Sequence, residues 1–161
     1  MSQVAVRLAE LGIEIPEVAV PVAAYVPAVV SGNLVFTSGQ LPFVGGSLRG
    51  SGKVGEGPDL VPPAEAKEIA RICVLNALAA VQSVIGSLDR ISRVVKLTGF
   101  VASHPDFTGQ PMVVNGASEL LAEIFGDEGK HARSAVGVAT LPLDSPVEIE
   151  LILELHPELF S

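Results

Sequence analysis

Among the ionisable side chains of this sequence, Arg133 has the surroundings best suited to chemistry. It opens the run Arg133-Ser-Ala-Val-Gly-Val138, whose period-two pattern puts the small residues Ala135 and Gly137 on its own side of a strand. Small neighbours leave room beside a guanidinium, whose planar fork holds a carboxylate through two parallel hydrogen bonds. Two readings stand side by side. Arg133 is the anion anchor of a cleft between subunits, or it is the cross-strand ion-pair partner of Glu148 or Glu150 on the strand that follows. His131, two residues before it, is a candidate general acid or a solvated loop histidine. Cys73 lies on the apolar stripe of a helix and reads as a buried core thiol rather than a nucleophile. A single cysteine excludes an intramolecular disulfide and a multi-cysteine zinc site, and His104, His131 and His156 show no metal-ligand spacing.

The elements that must position these residues are legible from periodicity. Val4, Leu8 and Leu11 mark a short amphipathic helix at the start. Tyr25–Val30 and Leu34–Ser38 flank the turn Ser31-Gly32-Asn33 and predict a hairpin, with Pro27 placing the first strand at an edge. Gly45–Pro63 reads as a functional or mobile loop, with a small hairpin near Lys53-Val54. From Ala64 the period becomes helical, Ile69, Cys73, Ala77, Val81, Val84 and Leu88 forming one stripe behind an entry at Pro62-Pro63. A strand over Arg93–Ala102, a helix from about Pro111 to Gly126, and strands over Arg133–Thr140 and Val147–Leu155 complete the order β-β-α-β-α-β-β. That order predicts an α+β layer, a mostly antiparallel sheet with two helices on one face. Val95, Leu97 and Val101, Val136 and Val138, and Val147 to Leu155 at alternate positions are the expected helix-facing sides. Lys96, Arg133, Glu148 and Glu150 are then expected together on the mixed side.

The chain's 161 residues suit one domain, whose core needs no staple. Ten basic against eighteen acidic residues give a net charge of −8, which argues against a nucleic-acid surface. Mean hydropathy is +0.50, yet the uncharged stretch from Val18 to Leu48 is broken by prolines and glycines and predicts no membrane span. Arg7, Glu10 and Glu14 interrupt any signal-peptide core, so the cytoplasm is the expected compartment. With 48% hydrophobic residues on so short a chain, part of the surface is expected to be buried in an oligomer.

Four segments together resemble the Rid (YjgF-type) family. They are the stretch from Tyr25 through Thr37-Ser-Gly-Gln40 to Pro42, Val95-Lys-Leu-Thr-Gly-Phe-Val101, Val114-Asn115, and Ala132-Arg-Ser through Pro142; Val147-Glu-Ile-Glu150 trails them. They occur in family order across roughly residues 20 to 155. The resemblance implies a chorismate mutase-like fold, a homotrimer, and sites in the clefts between subunits. It further implies hydrolytic deamination of 2-aminoacrylate-like enamines and 2-imino acids to 2-keto acids and ammonia, without metal or organic cofactor. A non-catalytic trimer that binds small carboxylates is the alternative. Arg133 matches the arginine that grips the substrate carboxylate, and Glu148 the acid that works with the hydrolytic water. Tyr25, Ser38, Gly39 and Asn115 match pocket positions. Residues 1–20 and the 45–63 loop stand as additions, and the chain resembles a divergent branch, with His131 where compact deaminases carry proline.

Overall fold

A computed structural model describes residues 2–18, 21 and 23–157. An N-terminal helix α1 (Gln3–Leu11) precedes the hairpin β1 (Ala28–Ser31) and β2 (Leu34–Thr37), then a two-residue hairpin β3 (Phe43–Val44) and β4 (Ser47–Leu48). The long helix α2 (Pro63–Ile85), strand β5 (Ile91–Ala102), helix α3 (Gln110–Phe125), strand β6 (Ala132–Val138) and strand β7 (Val147–Leu155) follow. Five strands form one mixed sheet in the order β1-β2-β7-β5-β6, in which only β5 and β6 run parallel.

Helices α2 and α3 cover one face of this sheet, as the alternation in β5 and β7 predicts. Val147, Ile149, Leu151, Leu153 and Leu155 are all buried, as are Leu97 and Val101; an irregularity between Val94 and Lys96 breaks the alternation in β5 and buries Val94 in place of the expected Val95. Pro63 starts α2 where a missing N–H costs nothing, Glu65 lies in its first turn, and the backbone of Gly86 closes it onto Gln82. Cys73 is fully buried on α2 with its thiol 3.6 Å from the Val147 carbonyl. Burial, seconded by the charge of Glu148, holds that thiol well above its ordinary pKa, which suits the core reading. Val84, placed on the same stripe by sequence, is instead 41% exposed. Twenty-three residues of this hydropathy could cross a membrane by length and composition alone. Here they form the central core helix.

Two expectations are corrected. The small hairpin lies at Phe43–Leu48, around the Gly45-Gly46 turn where both residues have positive φ, and not at Lys53-Val54. Val54 is fully buried and runs beside the end of β5, its N–H donating to Ala102 and its carbonyl accepting from His104. The first sheet strand begins at Ala28 rather than Tyr25, because Pro27 lacks the N–H that a ladder requires.

The open face carries Lys96, Thr98 and Phe100 from β5, Ser134 and Val136 from β6, and Glu148 and Glu150 from β7. Val29, Phe36 and Val136 stay 49%, 36% and 42% exposed. On the covered face, α3 sits close because Gly99 lies under Val114 and Gly116 lies against the backbone carbonyl of Lys67 on α2. A methyl group at 116 has no space. Gly116→Ala should therefore lower unfolding free energy by about 1–3 kcal/mol, read as an earlier urea midpoint at unchanged m-value.

Candidate functional site

Arg133 is the second residue of β6 and pairs with Leu97, whose side chain is in the helix-covered core. Paired residues share a face, so Arg133 projects on the helix side of the sheet, together with Ala135 opposite Gly99. Its Nη1 donates to Asn115 Oδ1 at 2.7 Å and to Ser118 Oγ at 3.2 Å. Asn115 and Ser118 are three residues apart on α3, hence neighbours on one helix face. Both are neutral. Among the described residues no carboxylate lies within ion-pair distance of Arg133. The two Nη1 hydrogens are used, while the Nε–Nη2 edge has no protein acceptor among the described residues. That edge is the one a carboxylate meets side-on.

His131 stands behind this group, half-buried. Its Nδ1 is 2.7 Å from the Gly129 carbonyl and its Nε2 is 2.9 Å from Ser118 Oγ. A carbonyl only accepts, so Nδ1 carries the proton and Nε2 accepts from the Ser118 hydroxyl. Burial pushes the imidazole pKa down and the Arg133 charge adds to this, against the Gly129 hydrogen bond, which raises it.

Glu148 projects from the opposite, open face, in register with Phe100 on β5 and, through it, Val136 on β6. Its carboxylate lies over Gly39, where any Cβ would overlap Oε1. Only glycine allows that approach. The segment is fixed by two backbone hydrogen bonds between Gln40 and Ile149, of 2.8 and 3.1 Å. Ser38 donates from Oγ to the Val26 carbonyl at 2.6 Å and from its N–H to Pro27 at 2.8 Å, which holds the chain near Tyr25 alongside. Burial raises the Glu148 pKa, and the neighbouring Glu150 charge raises it further. Tyr25, Gly39, Gln40 and Glu148 line a cleft of about 1040 Å³, together with the polar Glu14, Glu17 and Asn76 and apolar residues such as Phe43 and Leu75.

The six residues singled out in sequence thus fall into two sets. Tyr25, Gly39 and Glu148 line the cleft, with Ser38 held next to Gly39 by the Val26 and Pro27 carbonyls; Asn115 and Arg133 gather at the β6–α3 edge. The expectation that Arg133 shares the mixed face with Glu148, a hairpin away, is corrected. β5 lies between β6 and β7, and its parallel register with β6 turns Arg133 inward and Val136 outward. The proposed ion pair of Arg133 with Glu148 or Glu150 is absent for the same reason. Ala135 and Gly137 admit α3 and Gln110 rather than making room for a ligand. Ser118 was missed. A polar residue three positions after Asn115, on a helix whose inward side is otherwise apolar, was its signal. Among the described residues, no group of three or more His, Cys, Asp or Glu could hold a metal ion.

An α+β chain with a five-stranded mixed sheet and two covering helices matches one class of proteins. The profile described as "YjgF/chorismate_mutase-like, putative endoribonuclease" matches residues 5–155, and the chain belongs to that family. Its relatives include Protein TCP17 of Trypanosoma cruzi, 45% identical over 96% of this chain and 95% of that one. The crystal structure of Atu1372 from Agrobacterium tumefaciens, of unknown function, superposes with a TM-score of 0.87 at 46% identity, covering 96% of this chain and 93% of that one. The "Putative reactive intermediate deaminase TdcF" of Escherichia coli is 31% identical over 81% of this chain and 86% of that one. Its crystal structure with bound serine superposes with a TM-score of 0.64, covering 87% of this chain and 94% of that one.

The two shifted groups give opposite pH signatures. A carboxyl with a raised folded-state pKa favours the fold on the acid side, and this contribution is lost as pH rises through that value. His131, with a lowered value, favours the fold above the ordinary histidine pKa of about 6.5, and this is lost as pH falls through its folded-state value. Glu148→Gln should therefore melt above the wild type at pH 8, with the gap closing toward about pH 4. Thermal melts across that range at one protein concentration check it.

Proposed function

We propose that this protein hydrolyses small 2-imino acids and their enamine tautomers to 2-keto acids and ammonia. The working unit in this reading is a homotrimer, in which Arg133 and Asn115 of one copy face Tyr25, Ser38, Gly39 and Glu148 of the next. The observation that carries the reading is the state of Arg133. Its cation is held by two neutral side chains, with a carboxylate-binding edge left over and no anion from its own chain to fill it. The opposite placement of Glu148 supports an inter-subunit arrangement, and exposed Val29, Phe36 and Val136 supply apolar area for a contact on the open face. The serine bound to TdcF is itself a small amino acid carboxylate.

The chemistry asked of these groups is limited. The Arg133 fork fixes the substrate carboxylate and so aims C2, the electrophilic imine carbon, at one place. Glu148, ionised but desolvated, accepts a proton from water as the water oxygen bonds to C2 and the C=N electron pair moves to nitrogen. The same proton passes to nitrogen and leaves a carbinolamine; its hydroxyl proton then moves through Glu148 to the amino group, the C–N bond breaks, and ammonia leaves as the C=O forms. A base whose pKa has moved up toward the working pH accepts that proton more readily. The endoribonuclease in the family's description finds little support in a chain of net charge −8 with a single Tyr and no Trp.

Arg133→Ala should abolish affinity for 2-oxobutanoate, and Glu148→Gln should keep it while slowing hydrolysis by about 10²–10⁴-fold. Mixed after co-refolding, the two inactive variants should recover activity, because some interfaces then join an intact Arg133 to an intact Glu148. Random assembly predicts about a quarter of the wild-type sites. Ammonia release from imines generated by an amino acid oxidase is the readout. No recovery in the mixture overturns the inter-subunit site. Wild-type turnover by Glu148→Gln overturns the catalytic role and leaves a carboxylate binder.

A further inference from the structure

Ser118 and His131 have no place in the reaction just described, yet they complete a continuous chain of hydrogen bonds that ends on Arg133. The Gly129 carbonyl accepts from His131 Nδ1, His131 Nε2 accepts from the Ser118 hydroxyl, and Ser118 Oγ accepts from Arg133 Nη1, at 2.7, 2.9 and 3.2 Å. Each step fixes the next. A carbonyl acceptor permits only the Nδ1–H tautomer, that tautomer makes Nε2 an acceptor, and the serine proton then points away from the guanidinium. The serine lone pairs are left facing Arg133.

We infer that Ser118 and His131 are positioning residues for Arg133, holding its Nη1 corner so that the Nε–Nη2 edge is presented to a substrate carboxylate. The inference rests on the reading of Arg133 as the carboxylate anchor. Asn115 alone would leave the guanidinium free to rotate about one hydrogen bond; Ser118 supplies the second fixed point on the same nitrogen. The far end of the chain is anchored by packing. Gly129 is buried against the carbonyl of Leu121 on α3, where a side chain would collide, so the loop carrying His131 has a fixed distance from the helix carrying Ser118. Burial lowers the imidazole pKa, against the Gly129 hydrogen bond and with the Arg133 charge, which favours the neutral ring whose Nε2 accepts. A neutral relay also matters electrostatically. A carboxylate in Ser118's position would compete with the substrate for the same cation.

The test compares Ser118→Ala, Ser118→Thr, His131→Phe and Arg133→Ala in the full-length protein, with 2-oxobutanoate and its neutral amide as probes in titration calorimetry. Ser118→Ala and His131→Phe should each bind 2-oxobutanoate about ten-fold more weakly, bind the amide as the wild type does, and raise KM for the imino acid with kcat nearly unchanged. Ser118→Thr, which keeps the hydroxyl, should restore most of the affinity. Should His131→Phe fail to fold, the serine pair decides alone. If Arg133→Ala loses 2-oxobutanoate while Ser118→Ala and His131→Phe bind it like the wild type, the relay is only a brace between α3 and β6 and the inference is overturned. If Arg133→Ala itself binds 2-oxobutanoate normally, the anchor reading is what fails. Equal losses for keto acid and amide, or a fall in kcat alone, also overturn the positioning role.

Discussion

The parallel pairing of β6 with β5 governs everything chemical in this molecule. In a sheet, paired residues share a face, so the match of Arg133 to Leu97 and of Val136 to Phe100 fixes both sides at once. A slip of one residue would send Arg133 to the open face and bury Val136 under α3. With the observed register, the guanidinium meets a helix that offers amide and hydroxyl groups. A branched apolar side chain is exposed in its place. The same register excludes an ion pair with Glu148 in the same chain, because β7 shows that residue to the other side.

This separation has an electrostatic consequence. A guanidinium and a carboxylate within reach of each other would neutralise one another, Arg133 holding the Glu148 pKa down and Glu148 occupying the fork. Held apart in one chain, each keeps what it needs. Arg133 retains a free donor edge, and burial raises the affinity of Glu148 for protons. Such an arrangement is less stable than a satisfied pair would be, since a desolvated carboxylate without a cation costs free energy. Lys53 with Asp144 at 2.7 Å is the kind of ion pair that neither Arg133 nor Glu148 makes among the described residues.

How much of this was legible in the sequence depended on burial. Strand β7 is readable to the residue because its alternation of Val147, Ile149, Leu151, Leu153 and Leu155 is unbroken, and α2 because its apolar stripe holds from Ile69 through Val81 between proline and glycine. Of the candidate site residues, Asn115 touches Arg133 and Gly39 lies against Glu148, but the two groups stand on opposite faces of the sheet. The face of β6 was not legible. An edge strand beside a helix is covered on one side by few residues, so small side chains there mark close backbone approach, and valines can face outward toward a contact the isolated chain lacks. Composition cannot separate these cases; only the neighbouring strand can. Nor could periodicity place the 43–48 hairpin, whose strands are two residues long and set by the Gly45-Gly46 turn.

Three glycines link the fold to the surroundings of Arg133. Gly116 lets α3 lie against the α2 backbone at Lys67, Gly99 accepts Val114 under the sheet, and Gly129 brings the loop before β6 onto Leu121. Each removes a side chain from a contact between backbones or between backbone and core, where packing admits few adjustments. Their joint effect is to set the depth of α3 relative to β6. Asn115 and Ser118 have short side chains and reach Arg133 only at that depth. An ångström of lift at Gly116 would turn hydrogen bonds of 2.7 and 3.2 Å into gaps, the weaker one first. The Arg133 group is therefore not an attachment to a finished scaffold. It is the outermost layer of the α2–α3–sheet packing, and a variant that loosens the core at Gly116 should lose orientation at Arg133 before it loses the fold.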